Sequence, residues 1–345
     1  MARKIAIVLF NLGGPDGPDD VQPFLQNLFR DPAIIGAPGL IREILAWFIS
    51  TTRAPSARKN YDKMGGGSPL LSESKKQAEA LVAQLSEIEP DTEFRSFIAM
   101  RYWHPFIEEC AAAVKAWKAD EIVLLPFYPQ FSTSTTGSSL AGWKAAGGAN
   151  ARIVCCYPEA ADFIQAHVDL IRKTWEESGA SDTCRLLFSA HGLPKRTVEQ
   201  GDPYQWQIEQ TCRAVAARLP ELDDWEICYQ SRVGPLEWIG PSTEAAIECA
   251  ARDKKDIILT PVAFVSEHIE TLVELDEEYG ELAREKGVQS YQRVPALGIS
   301  QDYIRALAQL ALDALKGPCG FKPPCGERLC PAEFGKCPNR IAADV

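Results

Sequence analysis

The chain has 345 residues, of which 46% are hydrophobic and 24% charged, the composition of a globular protein with one large or two ordinary domains. The net charge of −11 and the pI near 5.0 argue against nucleic acid as a partner, because phosphates need a basic surface. The apolar run at residues 5–10 is too short for a secretory signal peptide, so we expect a cytoplasmic protein with reduced thiols.

Short apolar and β-branched runs alternate with helical patterns along the chain, which is typical of βα units and a parallel sheet. The predicted strands cover residues 5–10, 93–99, 121–127 and 152–157 in the first half and 185–189, 226–230, 256–262 and 288–294 in the second. The predicted helices cover about residues 72–87, 105–118, 159–178, 204–218, 242–252 and 301–315. The sequence therefore predicts the α/β class, with two lobes that each hold a four-stranded parallel sheet flanked by helices. We expect these lobes at residues 1–160 and 161–316, followed by a cysteine-rich extension at 317–345.

The segment 32–50, which follows the first predicted strand, comes closest to a membrane span. It is interrupted by Pro38, Gly39, Arg42 and Glu43, so we do not expect it to cross a bilayer. Two interpretations remain open. The segment is either a buried helix or an exposed apolar lip that touches a membrane surface or a flat apolar ligand.

Two pairs of sequence stretches are alike, which indicates two similar lobes. The stretch "EIVLLPFYPQFSTSTT" at 121–136 aligns with "DIILTPVAFVSEHIET" at 256–271. In this alignment Pro126 and Pro261 occupy the same position. The stretches "LFNLGGP" at 9–15 and "LFSAHGLP" at 187–194 share Leu-Phe and a glycine ahead of a proline.

Parallel sheets bind ligands beyond the carboxyl ends of their strands, so the residues that follow the predicted strands are site candidates. They are Asn11, Leu12, Arg101, Tyr102, Tyr128, Ser134 and its neighbours in "STSTTGSS", His191, Gln230, Ser231 and Glu267 through Glu270. The glycine-rich stretches "NLGGP" and "MGGGSP" match neither GxxxxGK[ST] nor GxGxxG, so we do not expect a nucleotide site.

The stretch "FVSEHIETLVELDEEYG" at 264–280 is unusually acidic. On a helical projection its glutamates fall within an arc of roughly 100°. A solvated acidic face is one interpretation, and a ladder for protons or hard metal cations is the other. The glutamates of this stripe are Glu267, Glu270, Glu274, Glu277, Glu278 and, one residue beyond the stretch, Glu281.

With these motifs in place, the sequence resembles the ferrochelatase family, whose members insert ferrous iron into a porphyrin. The resemblance runs from residue 5 to about 315 and rests on "NLGGPD", "GGGSPL", "MRYWHP", "YPQFSTSTTGSS", "FSAHGLPKR", "GDPY", "QSRVGPLEWIGPST" and "SEHIETLVELDEEY". It implies two Rossmann-like lobes with a porphyrin cleft between them, and Fe²⁺ and porphyrin as substrates. Leu12 stands where some coproporphyrin-using relatives have tyrosine, which favours protoporphyrin IX.

The resemblance also implies the catalytic residues. Metal insertion requires removal of two pyrrole protons, and histidine is the side chain best suited to act as a base near neutral pH. His191 matches the family's catalytic histidine, and Glu270 matches the carboxylate opposite it. His268 belongs to the same motif, while Glu274 and Glu278 continue an acidic path for protons or ferrous ions.

The porphyrin pocket implied by the resemblance is lined by apolar, aromatic and polar residues. Trp238 has core packing as its alternative role. The segment 32–50 matches the family's apolar lip, which implies peripheral contact with the inner membrane. The pocket residues are Leu12, Arg101, Tyr102, Tyr128, Ser134 and Trp238.

Four of the eleven cysteines lie in the last 27 residues, at positions 319, 325, 330 and 337. Their spacing lacks the CxxC of common zinc modules, so zinc and free thiols remain alternatives to a cluster. The resemblance implies a 2Fe–2S cluster and a homodimer. Animal members take one ligand from the "STSTT" region, where this chain has Thr133. Either the tail supplies all four ligands, Cys319, Cys325, Cys330 and Cys337, or Cys155 or Cys156 supplies one.

Other functions remain open beside iron insertion into protoporphyrin IX. The alternative most similar to it is the same chemistry on coproporphyrin III or with another divalent metal. A non-catalytic porphyrin- or haem-binding carrier does not need a base facing a carboxylate, so His191 with Glu270 speaks against it. An electron-transfer protein built around the cysteine tail does not need the two lobes.

Overall fold

A computed structural model of the chain describes residues 2–232, 234, 236–322 and 327–339. The chain forms two compact units. Unit 1 comprises Met1–Cys155 and Leu307–Gly326, and unit 2 comprises Cys156–Ala306 and Glu327–Val345.

Unit 1 is built on a parallel sheet with the strand order β2-β1-β3-β4-β9. The central strand is buried from Ile5 onward, as expected for a strand that is covered on both faces. The strands are β1 (Arg3–Asn11), β2 (Thr92–Met100), β3 (Glu121–Pro126), β4 (Arg152–Val154) and β9 (Gly320–Lys322).

Helices flank this sheet, and a core around Phe10, Leu124 and Trp143 fills one side of it. A π-helical turn at Thr133–Gly137 follows β3. The helices are α1 (Val21–Arg30), α2 (Gly39–Asp62), α3 (Leu70–Ile88), α4 (Ile107–Trp117) and α5 (Ser138–Ala145), with a 3₁₀ turn at Pro18–Asp20. The sequence patterns predicted α3 and α4 but missed α1 and α5.

Unit 2 is built on a parallel sheet with the order β6-β5-β7-β8. This is the order of the first four strands of unit 1, so the prediction of an α/β fold with two similar sheets is confirmed. The order reverses between β5 and β7, the point where open α/β sheets bind ligands. The strands are β5 (Cys184–His191), β6 (Trp225–Gln230), β7 (Asp256–Pro261) and β8 (Tyr291–Arg293).

The helices of unit 2 include a second π-helical segment at Glu270–Glu278, which follows β7 as the first follows β3. π-helical turns are rare and often occur at functional sites. The α-helices are α6 (Ala161–Glu177), α7 (Lys195–Glu199), α8 (Tyr204–Ala216), α9 (Thr243–Arg252), α10 (Tyr279–Glu285) and α11 (Gln301–Leu315), of which α11 crosses the boundary between the units.

The expectation of four strands in the first sheet is corrected by β9, which comes from the cysteine-rich tail. The Gly320 N–H donates to Ala151 O at 2.9 Å, and Arg152 Nε donates to Gly317 O at 2.7 Å. Since β4 would otherwise be an unpaired edge, this short strand satisfies its backbone groups. A three-residue strand in a segment rich in Gly and Pro has no period that a sequence pattern can reveal.

The helix α2 decides between the two interpretations of segment 32–50. Its small residues Ala46, Ser50 and Ala54 are buried, and the large apolar residues between positions 40 and 48 are exposed. The buried-helix interpretation is therefore wrong. Within the described ranges, no helix combines the length and apolarity that a bilayer crossing requires. The exposed side chains form an apolar stripe: Leu40 (78% exposed), Ile41 (53%), Ile44 (60%), Leu45 (36%), Trp47 (56%) and Phe48 (58%).

Candidate functional site

His191 is the last residue of β5 and lies at the carboxyl edge of the second sheet. Its Nδ1 lies 2.6 Å from the carbonyl oxygen of Gly192. Because a carbonyl oxygen only accepts hydrogen bonds, Nδ1 carries the proton, and Nε2 of the neutral ring keeps its lone pair. The partly exposed ring therefore presents a base through Nε2.

Glu270 begins the π-helical segment, with Oε2 at 4.0 Å from Nε2 of His191. Within the described part of the chain, this buried oxygen has no hydrogen-bond partner. A buried acceptor without a donor is costly, so this oxygen is placed to receive a proton from Nε2. The pair can pass a proton from the imidazolium to the carboxylate.

Glu274 lies one turn further along the π-helical segment and is held by several donors. Ser231 donates to it through both its N–H (2.9 Å) and its Oγ (2.5 Å), and Gln230 Nε2 donates at 3.0 Å. The Tyr279 hydroxyl lies 3.1 Å from Oε1. Burial, followed by the charge of Glu270, raises the pKa of Glu274 above its ordinary value. Glu274 therefore holds a proton more readily than an ordinary glutamate does.

Ser231 has an unusual backbone conformation, with φ at +63°. Side-chain-bearing residues adopt the left-handed region at a cost of roughly 1 kcal/mol or more. The conformation lets the N–H and hydroxyl of one residue reach the same carboxylate. Sequence reasoning named Ser231 as a strand-end residue but gave no sign of this geometry.

The other residues of the acidic motif are placed differently. His268 is 6% exposed, donates from Nδ1 to Ser266 O at 3.1 Å, and packs on Phe264 with ring centroids 4.6 Å apart. Glu278 is exposed, and its side chain has no hydrogen bond or ion pair with any residue that the structure describes. The structure therefore brings His191, Glu270 and Glu274 together and leaves Glu278 in solvent.

Trp238 lies beside the catalytic candidate His191, with the ring centroids 6.4 Å apart. It is half-buried, so part of its flat surface is accessible. A Cβ added to Gly192 would lie 3.0 Å from Trp238 Cε3 and 3.1 Å from Gln230 O. Glycine at this position is what allows the indole to approach the histidine.

In unit 1 a second polar cluster surrounds Asp31, whose side chain is 2% exposed. It accepts hydrogen bonds from Arg101 Nη2 at 2.8 Å, from the Tyr102 hydroxyl at 2.9 Å and from Ser138 Oγ. Arg101 Nε also donates to Ser138 Oγ at 2.6 Å. Buried charges need this kind of pairing. The sequence analysis included Ser138 among the candidates of the "STSTTGSS" loop but missed Asp31. The available signal for Asp31 was a single carboxylate directly after the residues that form α1.

The remaining pocket candidates of unit 1 are half-buried. Leu12 packs beside Trp103, and its N–H donates to Asn11 Oδ1 at 2.8 Å. Ser134 lies in the first π-helical turn, with its hydroxyl 2.9 Å from that of Ser132. Tyr102, in contrast, is 1% exposed. Tyr128 packs against the core, and burial raises the pKa of its hydroxyl.

Two tail cysteines, Cys330 and Cys337, are buried in unit 2. Gln207 Nε2 donates to the sulfur of Cys330 at 3.0 Å and to that of Cys156 at 3.4 Å. The hydrogen bond with Cys330 lowers the pKa of Cys337 to about 6, and Arg328 contributes to this shift. The neighbours of Cys337 therefore stabilise its thiolate.

Among the described residues, two other predicted ligands are assigned to unit 1. Cys319 is exposed and belongs to unit 1, and Cys155 is buried there. Cys325 lies outside the described residues. Across residues 2–232, 234, 236–322 and 327–339, no three His, Cys, Asp or Glu side chains form a group able to hold a metal ion.

Comparison with known proteins adds independent information. A family model described as Ferrochelatase matches residues 4–315. A ferrochelatase of Caulobacter vibrioides (strain NA1000 / CB15N) is 56% identical over 348 residues, covering 100% of both chains. A ferrochelatase of Phenylobacterium zucineum (strain HLK1) is 55% identical and covers 98% of both chains.

Among solved structures, the sirohydrochlorin chelatase SirB from Bacillus subtilis subspecies spizizenii, in complex with cobalt, has a TM-score of 0.51. It is 8% identical and covers 92% of this chain and 97% of its own, which is a likeness of fold alone. The family match and the two bacterial relatives decide the classification: the chain belongs to the ferrochelatase family.

Proposed function

We propose that this ferrochelatase inserts Fe²⁺ into protoporphyrin IX and releases two protons, which completes haem biosynthesis. Iron insertion into a porphyrin follows from the family. The observation that carries the proposed chemistry is the free Nε2 of His191 facing the buried Oε2 of Glu270 at 4.0 Å.

The reaction exchanges two pyrrole protons for one ferrous ion. Nε2 of His191 takes a pyrrole proton, while Nδ1–H stays bonded to Gly192 O and fixes the ring. The imidazolium then gives the Nε2 proton to Glu270, and the regenerated base takes the second proton. Glu270 passes each proton towards Glu274, whose raised pKa suits a group that holds a proton before it leaves.

Porphyrin contacts are proposed within each unit. In unit 2 the accessible face of Trp238 suits a flat macrocycle beside His191. In unit 1, Leu12, Tyr128 and Ser134 provide the lining, and Arg101 provides a positive charge for a polar substituent. Tyr102 is buried and donates to Asp31, which also pairs with Arg101. We therefore propose that Tyr102 positions Asp31 and does not contact the porphyrin.

A leucine at position 12 supports protoporphyrin IX over coproporphyrin III. A substrate with few polar substituents also agrees with the exposed apolar stripe of α2. We propose that this stripe rests on the surface of the inner membrane and that the enzyme is a cytoplasmic homodimer.

We also propose that the tail binds a 2Fe–2S cluster. Thiolates are the ligands of such clusters, and the shared environment of Cys330 and Cys337, with the lowered pKa of Cys337, fits that requirement. Cys156, joined to Cys330 through Gln207, supports a ligand from outside the tail. Cys319 and Cys325 complete the four ligands if the tail supplies them all, and Cys156 replaces one tail cysteine in the alternative. When bound, the group supplies a one-electron redox centre and crosslinks the tail.

The test is anaerobic insertion of Fe²⁺ into protoporphyrin IX, followed by loss of porphyrin fluorescence. We expect many turnovers by the wild type, and a loss of about 10²–10⁴-fold in Glu270→Gln because the proton acceptor is removed. Coproporphyrin III measured in parallel tests the choice of substrate. Tight porphyrin binding without turnover contradicts the proposal and leaves the carrier function.

A further inference from the structure

The Tyr279 hydroxyl joins two carboxylates in unit 2. It lies 3.1 Å from Oε1 of Glu274 and 3.3 Å from Oε1 of Glu244. Tyr279 is the first residue of α10 and is 5% exposed, whereas Glu244 is exposed in the first turn of α9. The hydroxyl therefore connects a buried carboxylate to one in solvent.

A phenol has one proton and two lone pairs, so it can accept from one neighbour while it donates to the other. The charged and titratable groups around Glu274 are Glu270, His191 and Tyr279, and the neutral donors Gln230 and Ser231 hold its two oxygens. Burial raises the pKa of Tyr279 itself, so the phenol is not lost as an anion. The hydroxyl stays able to relay.

We propose that Tyr279 relays protons from Glu274 to Glu244, from which they enter solvent. The inference rests on the proposed function, which produces the two protons. In the step, protonated Glu274 gives its proton to the oxygen of Tyr279 as the O–H proton of Tyr279 passes to Oε1 of Glu244. One O–H bond breaks and one forms at the phenol, so Tyr279 is unchanged and one proton has moved.

This route for protons to solvent differs from the route through Glu278 that the acidic motif led us to expect. Glu278 is exposed, and its side chain has no bond to Glu274 among the described contacts. Glu244, in contrast, shares the phenol with Glu274. The relay assigns a function to a carboxylate on α9, outside the acidic motif.

The test compares Tyr279→Phe with the matched variant Tyr291→Phe in the full-length enzyme. Tyr291→Phe also removes a hydroxyl beside the π-helical segment. That hydroxyl donates to Leu275 O at 2.6 Å and, among the described residues, has no hydrogen bond to a carboxylate. We expect Tyr279→Phe to lower kcat about tenfold with little change in the KM for porphyrin, and to change the solvent deuterium isotope effect. Tyr291→Phe keeps the wild-type isotope effect.

Glu244→Gln provides a second test on the surface, with Glu248→Gln as its control on the same helix. Glu248 is paired with Lys286 at 2.7 Å. We expect Glu244→Gln, but not Glu248→Gln, to reproduce the effect of Tyr279→Phe. The relay is overturned when Tyr279→Phe matches Tyr291→Phe in kcat and isotope effect, or when only Glu278→Gln slows turnover. A wild type without turnover removes the proposed function as well, so the two failures are distinct.

Discussion

At the scale of single residues, the catalytic candidate depends on its neighbours as much as on its own type. His191 is a usable base because the Gly192 carbonyl fixes its tautomer and because glycine lets Trp238 approach. The sequence motif identified His191, but the tautomer and the approach of the indole follow from backbone geometry that no residue pattern encodes.

The substitution Gly192→Ala tests this approach. Its Cβ would lie 3.0 Å from Trp238 Cε3 and 3.1 Å from backbone, so the indole or the strand end must move. We expect an overpacking cost of about 1–3 kcal/mol in the free energy of unfolding and slower iron insertion. Gly280→Ala is the control, because its Cβ meets only Tyr291 at 3.6 Å. Equal rates of iron insertion in the two variants would contradict the claim that the site needs glycine at position 192.

A pH-dependent contribution to stability comes from Asp224. Burial raises its pKa, but hydrogen bonds from Arg185 and Lys255 outweigh burial and hold the pKa below its ordinary value. Because the folded value is depressed, the stabilisation is present above the unfolded pKa of about 3.9 and is lost as the pH falls through the folded value.

We expect Asp224→Asn to be about 1 kcal/mol less stable than the wild type at pH 7, since the group is partly solvated. The difference should shrink as the pH falls below about 4. Denaturant unfolding at a series of pH values measures it. A difference that grows in acid would mean that the carboxylate is not the stabilised form.

At the scale of secondary-structure elements, the π-helical segment places its glutamates differently from an ordinary α-helix. A projection with an ordinary helical period placed the glutamates on one arc, and Glu270 and Glu274 do lie together. The i→i+5 bonding widens each turn, so the arc does not continue to Glu278, which is exposed. Nothing in the residue types of 270–278 distinguishes a π-helix from an α-helix.

Arg293 of β8 holds this segment from its other side. Its guanidinium donates to Asp276 through Nε at 2.6 Å and Nη2 at 2.7 Å, and to Glu267 through Nη1 at 2.6 Å. Its side chain is 10% exposed. These bonds fix residues on both sides of Glu270, so Arg293 is a positioning residue.

Arg293→Met should therefore lower kcat for iron insertion and cost roughly 3 kcal/mol of stability, because two carboxylates lose their partner. Arg185→Met is the matched control, since Arg185 is 14% exposed and pairs with Asp224 at 2.8 Å and Asp253 at 3.0 Å. We expect the control to lose stability but keep kcat at a temperature where both variants are folded. Equal kcat in both would show that Arg293 is merely structural.

At the scale of the whole molecule, the repeat in the sequence reappears as a repeat in topology. The likeness of 121–136 to 256–271 corresponds to two strands at the same position of their sheets, each followed by a π-helical stretch. Apolar period and strand-end prolines were enough to predict two similar sheets, but not the strand order or the π-helical stretches. The short strand β9 and the exposure of α2 depend on tertiary pairing, which local pattern does not determine.

The apolar stripe of α2 carries a prediction at this scale. The double substitution Trp47→Ser/Phe48→Ser should lower partition onto anionic lipid vesicles by about tenfold or more, because each aromatic buries a large apolar area. Ile88→Ser, at a residue 48% exposed on α3, is the control. Vesicle co-sedimentation measures both, and equal partition of the two variants would contradict membrane contact through α2.

The most direct measurement of the central claim is multiple-turnover iron insertion by the wild type beside His191→Ala, with and without added imidazole. We expect turnover by the wild type, a loss of about 10²–10⁴-fold in His191→Ala, and partial recovery that rises with imidazole concentration. Turnover by His191→Ala at the wild-type rate would contradict the claim that Nε2 of His191 is the base.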